Sequence, residues 1–542
     1  MARKTMPALK WDVDGFYWAR FSFDRGLAMY ENHMVPGGSG ALREPLQNTQ
    51  FLMHQVRFEP AVHLGKIAEF RLRFDGLYDV VWGDNDGNAG WPVLSQEPSD
   101  SSVEGSRMPS VRLRTAYVDF DVLLGRVRLG RMPVDWGLGL VSNGGGNLRR
   151  FRGGVDDDFG DNHFPTVVDR AMFVTDIIAT ARRLWEPNFP KNHALYVAYA
   201  YGKVVEEPFV LGIPVDEQRP FGDVTFLSRE ANDVDEHVGI LFYSWKGFLD
   251  RWFAAWGPTH LKAGVYFSYR RQRRVEGIVR LWDDQSQAFV AHDCTVEHLA
   301  VCGSASDLVL FDPYLDIKVG RALRLRAEFY VMQGQTDSRA FDLSKDIDKY
   351  STYGWVVRVA SLPWHWLGFK LEAGQAAGDR DYRDATFRYR PMHPDHNVGL
   401  LLYDQFLRER TAASLAGSFS GPLVSGRAAG ERGLLSNGGV VDSYYFMPTV
   451  VLQPFDFAVL KMAVLSAWSH RQDDILFQKG RGRHIGTEVD MGLDLAWGMG
   501  NDDLRHMLLR LEGGYLFFGP QVRPDYGVSG AFTLQARLAF IL

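Results

Sequence analysis

Apolar and polar residues alternate one by one along much of this chain, and a period of two is its dominant signal. In GVSGAFTLQARLAFIL, Phe532, Leu534, Ala536, Leu538, Phe540 and Leu542 share one parity, against Thr533, Gln535 and Arg537. In RALRLRAEFYVMQ, Leu323, Leu325, Ala327 and Phe329 oppose Arg324, Arg326 and Glu328. KIAEFRLRFDG and HIGTEVDMGLDLAWG repeat the pattern. A strand places such sets on opposite faces of a sheet. Candidate strands fall at 9–23, 49–60, 65–76, 110–122, 125–132, 166–182, 192–202, 235–246, 260–272, 309–319, 322–334, 351–361, 366–377, 441–453, 456–469, 484–497, 504–518 and 528–542. Many run about 11–15 residues, longer than the usual 5–6 and enough for a tilted strand to cross a bilayer.

The links between these segments alternate in length. PAVHLG, LLG, GR, LPWHW, QPF and GMGND are tight, whereas 24–48, 77–109, 133–165, 203–234, 273–308 and 378–440 are long. The link GFLDRWFAAWGPT has room for a short helix. Short turns at one rim and long loops at the other describe an outer-membrane barrel. Closure follows, because hydrocarbon offers no partner to an open sheet edge. The expected fold is therefore all-β: a transmembrane antiparallel up-and-down β-barrel of about 18 strands, with 16–20 open. Its short turns would be periplasmic and its long loops extracellular. Residues 1–542 are expected to form one barrel domain, with loops 133–165, 273–308 and 378–440 capping or entering the lumen. Trp11, Tyr17, Trp18, Tyr353, Trp355, Trp364, Trp366, Trp468 and Trp497 lie near strand ends, as interfacial girdles require.

Composition narrows the alternatives. A 13% aromatic content and 55 Gly in 542 residues exclude a disordered chain or a coiled coil. A net charge of -6 argues against nucleic-acid binding. Mean hydropathy is -0.19, and no run approaches the roughly 20 apolar residues of a spanning helix. The start, MARKTMPALKWDVDG, lacks the apolar core of a signal peptide. The expectation is a bacterial outer-membrane protein from which that leader is already removed. Outer-membrane lipid, lipopolysaccharide and, during biogenesis, the barrel-assembly machinery are its expected partners. A homo-oligomer or a protein partner in an envelope complex stays open.

Two segments carry a resemblance to known proteins. The last strand resembles the carboxy-terminal assembly signal of outer-membrane barrels, with Leu542 where Phe is usual. Residues 374–406 resemble a loop of the alginate-export family of outer-membrane channels, at Gly378–Asp379, Thr386–Phe387, Pro391, Pro394 and His396. That resemblance implies an 18-stranded barrel passing a polyanionic polysaccharide. It also makes Asp379, Arg380, Phe387, Pro391 and His396 candidates for a constriction loop. The following stretch, NVGLLLYDQF, would be a helix or strand packed in or over the lumen.

The polar parity is heavily charged. It includes Arg71, Arg73, Arg112, Arg114, Arg126, Arg128, Arg324, Arg326, Arg358, Lys370, Arg510 and Arg537, with Glu328, Glu372, Glu488, Asp490 and Glu512. A cation on the lipid face costs about 2–4 kcal/mol at mid-membrane, so these residues are expected to line the pore. Their cationic excess would favour anionic solutes. The competing reading is a ladder of paired charges that braces the wall.

Other motifs carry less. Asp156, Asp158 and Asp161 offer oxygen ligands that a structural calcium could use, but the spacing is not that of an EF-hand, and a solvated loop tip is the plainer reading. NGGGN at 143–147 lacks the Lys-Ser/Thr of a phosphate loop. His393 and His396 are read as loop packing, and no GxSxG occurs. Cys294 and Cys302 could bridge a short loop in an oxidising compartment. No enzyme is expected, because Asp and Glu alternate with Arg along strands, as in a wall, and do not converge in a cleft. A passive channel leads, followed by a structural barrel with an occluded lumen and then by a secreted all-β protein.

Overall fold

A computed structural model describes residues 9–26, 48–65, 67–83, 111–145, 158–162, 165–185, 192–206, 234–272, 278–283, 288–293, 306–336, 348–378, 386–408, 436, 438–470, 482–498, 506–522 and 530–542. The first nine strands are β1 (Leu9–Arg25), β2 (Asn48–Leu64), β3 (Ala68–Gly83), β4 (Val111–Val122), β5 (Gly125–Pro133), β6 (Val167–Asp176), β7 (His193–Glu206), β8 (Val234–Lys246) and β9 (Thr259–Gln272). A separate hairpin, β10 (Ile278–Asp283) and β11 (Ala288–Asp293), follows and pairs only with itself among the described residues. Next come β12 (Ser306–Val319), β13 (Leu323–Thr336), β14 (Asp348–Trp364), β15 (Leu367–Ala376), a two-residue β16 (Thr386–Phe387), β17 (Ser443–Phe455), β18 (Ala458–Ser469), β19 (His484–Gly498), β20 (His506–Phe518) and β21 (Gly530–Ile541).

All of these but the hairpin and β16 make an 18-stranded antiparallel ring. Each strand pairs with its neighbours in sequence order, β9 pairs with β12 and β15 with β17. The ring closes where Tyr17 of β1 lies opposite Phe540 of β21 and Arg20 opposite Arg537. Every backbone edge is thereby satisfied, as a strand wall in hydrocarbon requires. β16 adds a short parallel pairing to β14 through Lys349 and Thr386.

The alternation sorts to the two faces of the wall. On β21, Leu534 and Leu538 are exposed outward, whereas Thr533, Gln535 and Arg537 are buried inward. On β12, Val309 and Phe311 face out while Asp312 and Asp316 are buried. Burying the charge of Asp316 is tolerable because Arg324 grips it there. Phe311 sits mid-strand on the outer face and is 46% exposed. Phe311→Arg is expected to lower barrel stability by about 2–4 kcal/mol in lipid vesicles. Urea unfolding monitored by tryptophan fluorescence would measure the loss, and an unchanged midpoint would count against a lipid-facing wall.

Three local expectations are corrected. The strand expected over 166–182 ends at Asp176, and Ile177–Leu184 forms the helix α1. The Asp176 carboxylate caps α1 by accepting the Ala179 N–H at 3.1 Å. Long link 273–308 contains the β10–β11 hairpin. Trp18, assigned to an interfacial girdle, is 2% exposed and points inward. It joins Phe16, Phe51, Met53, Leu508, Ala539 and Ile541 in an apolar cluster inside the wall. Trp11, Trp364, Trp366 and Trp497 are exposed at the short-turn rim. Tyr444 stacks on Trp468 at the other rim, with ring centroids 5.5 Å apart. The link at 247–259 holds the short helix α2 (Asp250–Phe253).

Candidate functional site: the lumen

The inward charges meet partners, mostly on the next strand. Arg57 makes a two-pronged pair with Asp75 at 2.6 and 2.9 Å, and Arg114 reaches the same carboxylate at 3.2 Å. Arg73 pairs with Glu59, and Arg71 with Glu69. Arg128 grips Asp119 at 2.6 and 2.7 Å, and Arg126 meets Asp121 at 2.7 Å. Arg324 grips Asp316 at 3.0 and 2.9 Å, with Arg326 across from that aspartate in register. Arg510 holds Asp494 at 2.7 and 2.9 Å, and Arg358 pairs with Glu372. The Arg112 side chain lies outside the described residues. Much of the cationic excess read from single strands is thus met by acids that reading left out, among them Glu59, Asp119, Asp121 and Asp316.

Loop segments enter the ring and pack against this wall. Residues 133–145 cross toward β9, β12 and β13. Trp136 packs between Tyr266 and Tyr314 and donates its indole N–H to the Asp312 carbonyl at 3.1 Å. Glu328 accepts the backbone N–H groups of Leu138 and Leu140. Residues 158–162 reach from β14 and β15 to β1 and β21. There Asp158 takes Lys370 at 2.5 Å and Arg358 at 3.1 Å. Asp161 takes Arg20 at 2.8 Å and also pairs with Arg537. The solvated loop tip read from the sequence is therefore corrected. Two of its carboxylates bind wall cations, and Asp156 lies outside the described residues. Among the described residues, no group of three or more His, Cys, Asp or Glu side chains is disposed to hold a metal ion.

The second segment, 386–408, is more apolar and more deeply packed. Leu400, Leu401, Leu402, Tyr403, Phe406 and Leu407 are fully buried, against Leu465, Ile485 and Leu516 of the wall. Residues Leu402–Leu407 wind as one π-helical turn. Three consecutive N–H groups, on Leu400, Leu401 and Leu402, donate to the Glu488 carboxylate at 2.6–2.8 Å. Asp490 and Glu512 are buried beside Glu488. Gly399 makes the entry possible. Its φ is +76°, and a Cβ there would lie 3.0 Å from the Glu488 carboxylate oxygens. His396 reaches the Tyr445 hydroxyl at 3.2 Å and Glu372 at 3.3 Å.

The two segments also bind each other. The His393 N–H donates to the Leu140 carbonyl at 2.7 Å, and Asn143 to the Asp395 carbonyl at 3.1 Å. Of the residues assigned to a constriction loop, Pro391 and His396 are buried in this plug. Phe387 contributes backbone to β16, while Asp379 and Arg380 lie outside the described residues. So do Cys294 and Cys302.

The 386–408 segment packs on β17–β20 through Tyr445, Leu465, Ile485 and Leu516, and space remains along the inner face of β1–β9. A cavity of about 420 Å³ remains there, lined by Asp12, Asp14, Glu59, Arg71, Arg73, Tyr117, Arg128, Asp135 and Arg170 among others. Arg128 lies over the Tyr117 ring at 4.6 Å. Arg71 and Arg128 keep 38% and 29% of their side-chain surface exposed, more than the buried Arg73 and Arg170.

No family model matches the chain, and no curated protein matches it. Among solved structures it is similar to OpdK of Pseudomonas aeruginosa with vanillate, at 10% identity over 98% of each chain, with a TM-score of 0.43. It is similar to OccAB3 of Acinetobacter baumannii at 10% identity over 98% of this chain and 99% of that one, with a TM-score of 0.45. It is similar to an anion-selective porin from Comamonas acidovorans at 10% identity over 99% and 100%, with a TM-score of 0.37. At these values the likeness carries no argument of its own, and the barrel rests on its closed register.

The anchorage of the plug is partly titratable. Burial opposes the charged form of Asp158, but Arg358 and Lys370 outweigh it and hold this loop carboxyl below its ordinary 3.8. A depressed folded value means that the contact stabilises fully above 3.8 and is lost as pH falls through the folded value. Limited proteolysis of the folded protein should therefore cut near residues 158–162 faster below pH 3.8 than at neutral pH. Asp158→Asn should remove most of that difference.

Proposed function

We propose that the protein is an outer-membrane channel through which small polar solutes, anions foremost, diffuse passively along the β1–β9 side of a half-plugged barrel. The carrying observation is the cavity of about 420 Å³ with Arg71 and Arg128 partly open to it. Its size suits one small molecule at a time. Two guanidiniums with free surface favour a carboxylate or phosphate passing by, because Arg presents a planar fork to such groups. The plug narrows the path and excludes bulk flow. The wider polysaccharide reading rests only on the loop resemblance at residues 374–406.

A structural barrel with an occluded lumen is the second reading, favoured by the fully buried apolar core that Leu400–Leu402, Tyr403 and Phe406 build inside the ring. Planar-bilayer recording separates the two. The channel reading expects stepwise conductance, with a reversal potential displaced toward the anion in a salt gradient. Silent bilayers containing correctly folded protein would favour the occluded barrel.

A further inference from the structure

The outer face of the wall carries a row of charges of alternating sign. Arg131 of β5 lies opposite Asp169 of β6, and Asp169 opposite Lys203 of β7. Lys203 lies opposite Asp235 of β8, Asp235 opposite Arg271 of β9, and Arg271 opposite Asp307 of β12. The row runs on through Gln335 to Lys349. All these positions are on the outward parity, and all lie at the end of the wall where the long links attach. Arg131 holds Asp169 two-pronged at 2.9 Å, and Arg271 meets Asp307 at 3.8 Å. Arg271 and Asp307 remain more than half exposed.

The rows beneath it are ordered by polarity. One register step toward the short turns come Tyr201, His237 and Tyr269, whose rings lie against one another. Tyr201 and Tyr269 donate upward to Asp235 at 2.8 Å and Asp307 at 2.7 Å. One step further come Phe173, Tyr199, Phe267 and Phe311, all exposed; the three Phe are apolar, and the Tyr199 hydroxyl meets His237 of the row above at 2.9 Å. Charge, then amphipathic rings, then hydrocarbon is the order met on descending through a membrane interface. The charged row therefore marks the headgroup plane on the long-loop side.

We infer that this row binds lipid A headgroups of the outer leaflet together with the divalent cations that bridge their phosphates. This rests on the outer-membrane reading above. A row of one sign would suit phosphates alone, whereas alternating sign suits a lattice of phosphates and divalent cations. Guanidinium and ammonium groups meet the phosphates, and each intervening carboxylate meets a bridging cation. Exchanging partners costs little, because exposed ion pairs contribute only about 0–1 kcal/mol each. The row spans β5 to β14, so one flank of the barrel is marked for lipid A.

The test uses the full chain in detergent, titrated with lipid A or with phosphatidylglycerol, with magnesium or with a chelator, and read by native mass spectrometry. The wild type is expected to retain lipid A in preference to phosphatidylglycerol, and to retain less once magnesium is chelated. A triple variant, Arg131→Gln with Lys203→Gln and Arg271→Gln, is expected to lose about tenfold in lipid A affinity. Heat-modifiable gel migration reports the barrel separately. A triple variant that migrates as folded and binds lipid A as the wild type does would overturn the inference alone, as would equal retention of the two lipids. A wild-type chain that forms no heat-modifiable species in detergent would overturn the outer-membrane reading and this inference with it.

Discussion

Glu488→Ala is expected to release the 386–408 segment and raise single-channel conductance by about twofold or more, because a barrel's bore is set by all of its strands and not by the sector left open. The glutamate is buried and accepts three successive N–H groups, from Leu400, Leu401 and Leu402. Removing it strands those donors among leucines, at about 1–3 kcal/mol for each group left unpaired. The ring itself is held by ladder hydrogen bonds between β18, β19 and β20, which the substitution does not touch. The variant should therefore still migrate as a folded barrel while its plug becomes cleavable near residue 400. Unchanged conductance together with unchanged proteolysis would show that Glu488 does not anchor the plug. Glu488→Gln gives a graded control, since its amide oxygen can still accept part of the set.

The second large effect concerns selectivity. Arg71→Glu combined with Arg128→Glu replaces the two most accessible guanidiniums of the cavity by carboxylates. A narrow, low-dielectric passage concentrates the ion opposite in sign to its lining. The double variant is expected to shift the anion-to-cation permeability ratio by about tenfold and to change the sign of the reversal potential in a potassium chloride gradient. The control is Arg57→Glu. Arg57 is buried against Asp75, away from the cavity lining, so its substitution should damage folding more than selectivity. A double variant that stays anion-selective would place the conducting path elsewhere in the lumen.

The wall was legible in the sequence because hydrocarbon outside and polar groups inside force a strict period of two. All eighteen barrel strands were anticipated, and the boundaries furthest off are the end of β3, expected at 76 and found at Gly83, and the end of β6, expected at 182 and found at Asp176 because IIATARRL reads as an extension of the strand. The overlooked signal was Asp176, a helix N-cap residue three positions before Ala179. The charge partners were harder to see. Arg128 and Asp119 are nine positions apart, and only the β4–β5 register brings them opposite each other. Asp158 and Arg358 are two hundred positions apart, and nothing in either strand or loop announces their contact. The plug was anticipated as an apolar stretch near the lumen, but not its means of attachment. A lone Glu488 on a strand reads as pore lining until the backbone it receives is known. The outward charged row was also invisible to a strand-by-strand reading, since each member is one ordinary charge near a strand end.

The central claim is that alternate positions of each strand face lipid and a polar interior. A nitroxide scan along β13, one label at a time from Arg324 to Val331 in reconstituted vesicles, tests it most directly. Labels at Leu325, Ala327, Phe329 and Val331 should collide freely with oxygen dissolved in the bilayer and hardly at all with a water-soluble nickel complex. Labels at Arg324, Arg326 and Glu328 should be shielded from lipid-borne oxygen. An oxygen accessibility without a period of two, or one whose maxima fall on the charged parity, would contradict the account.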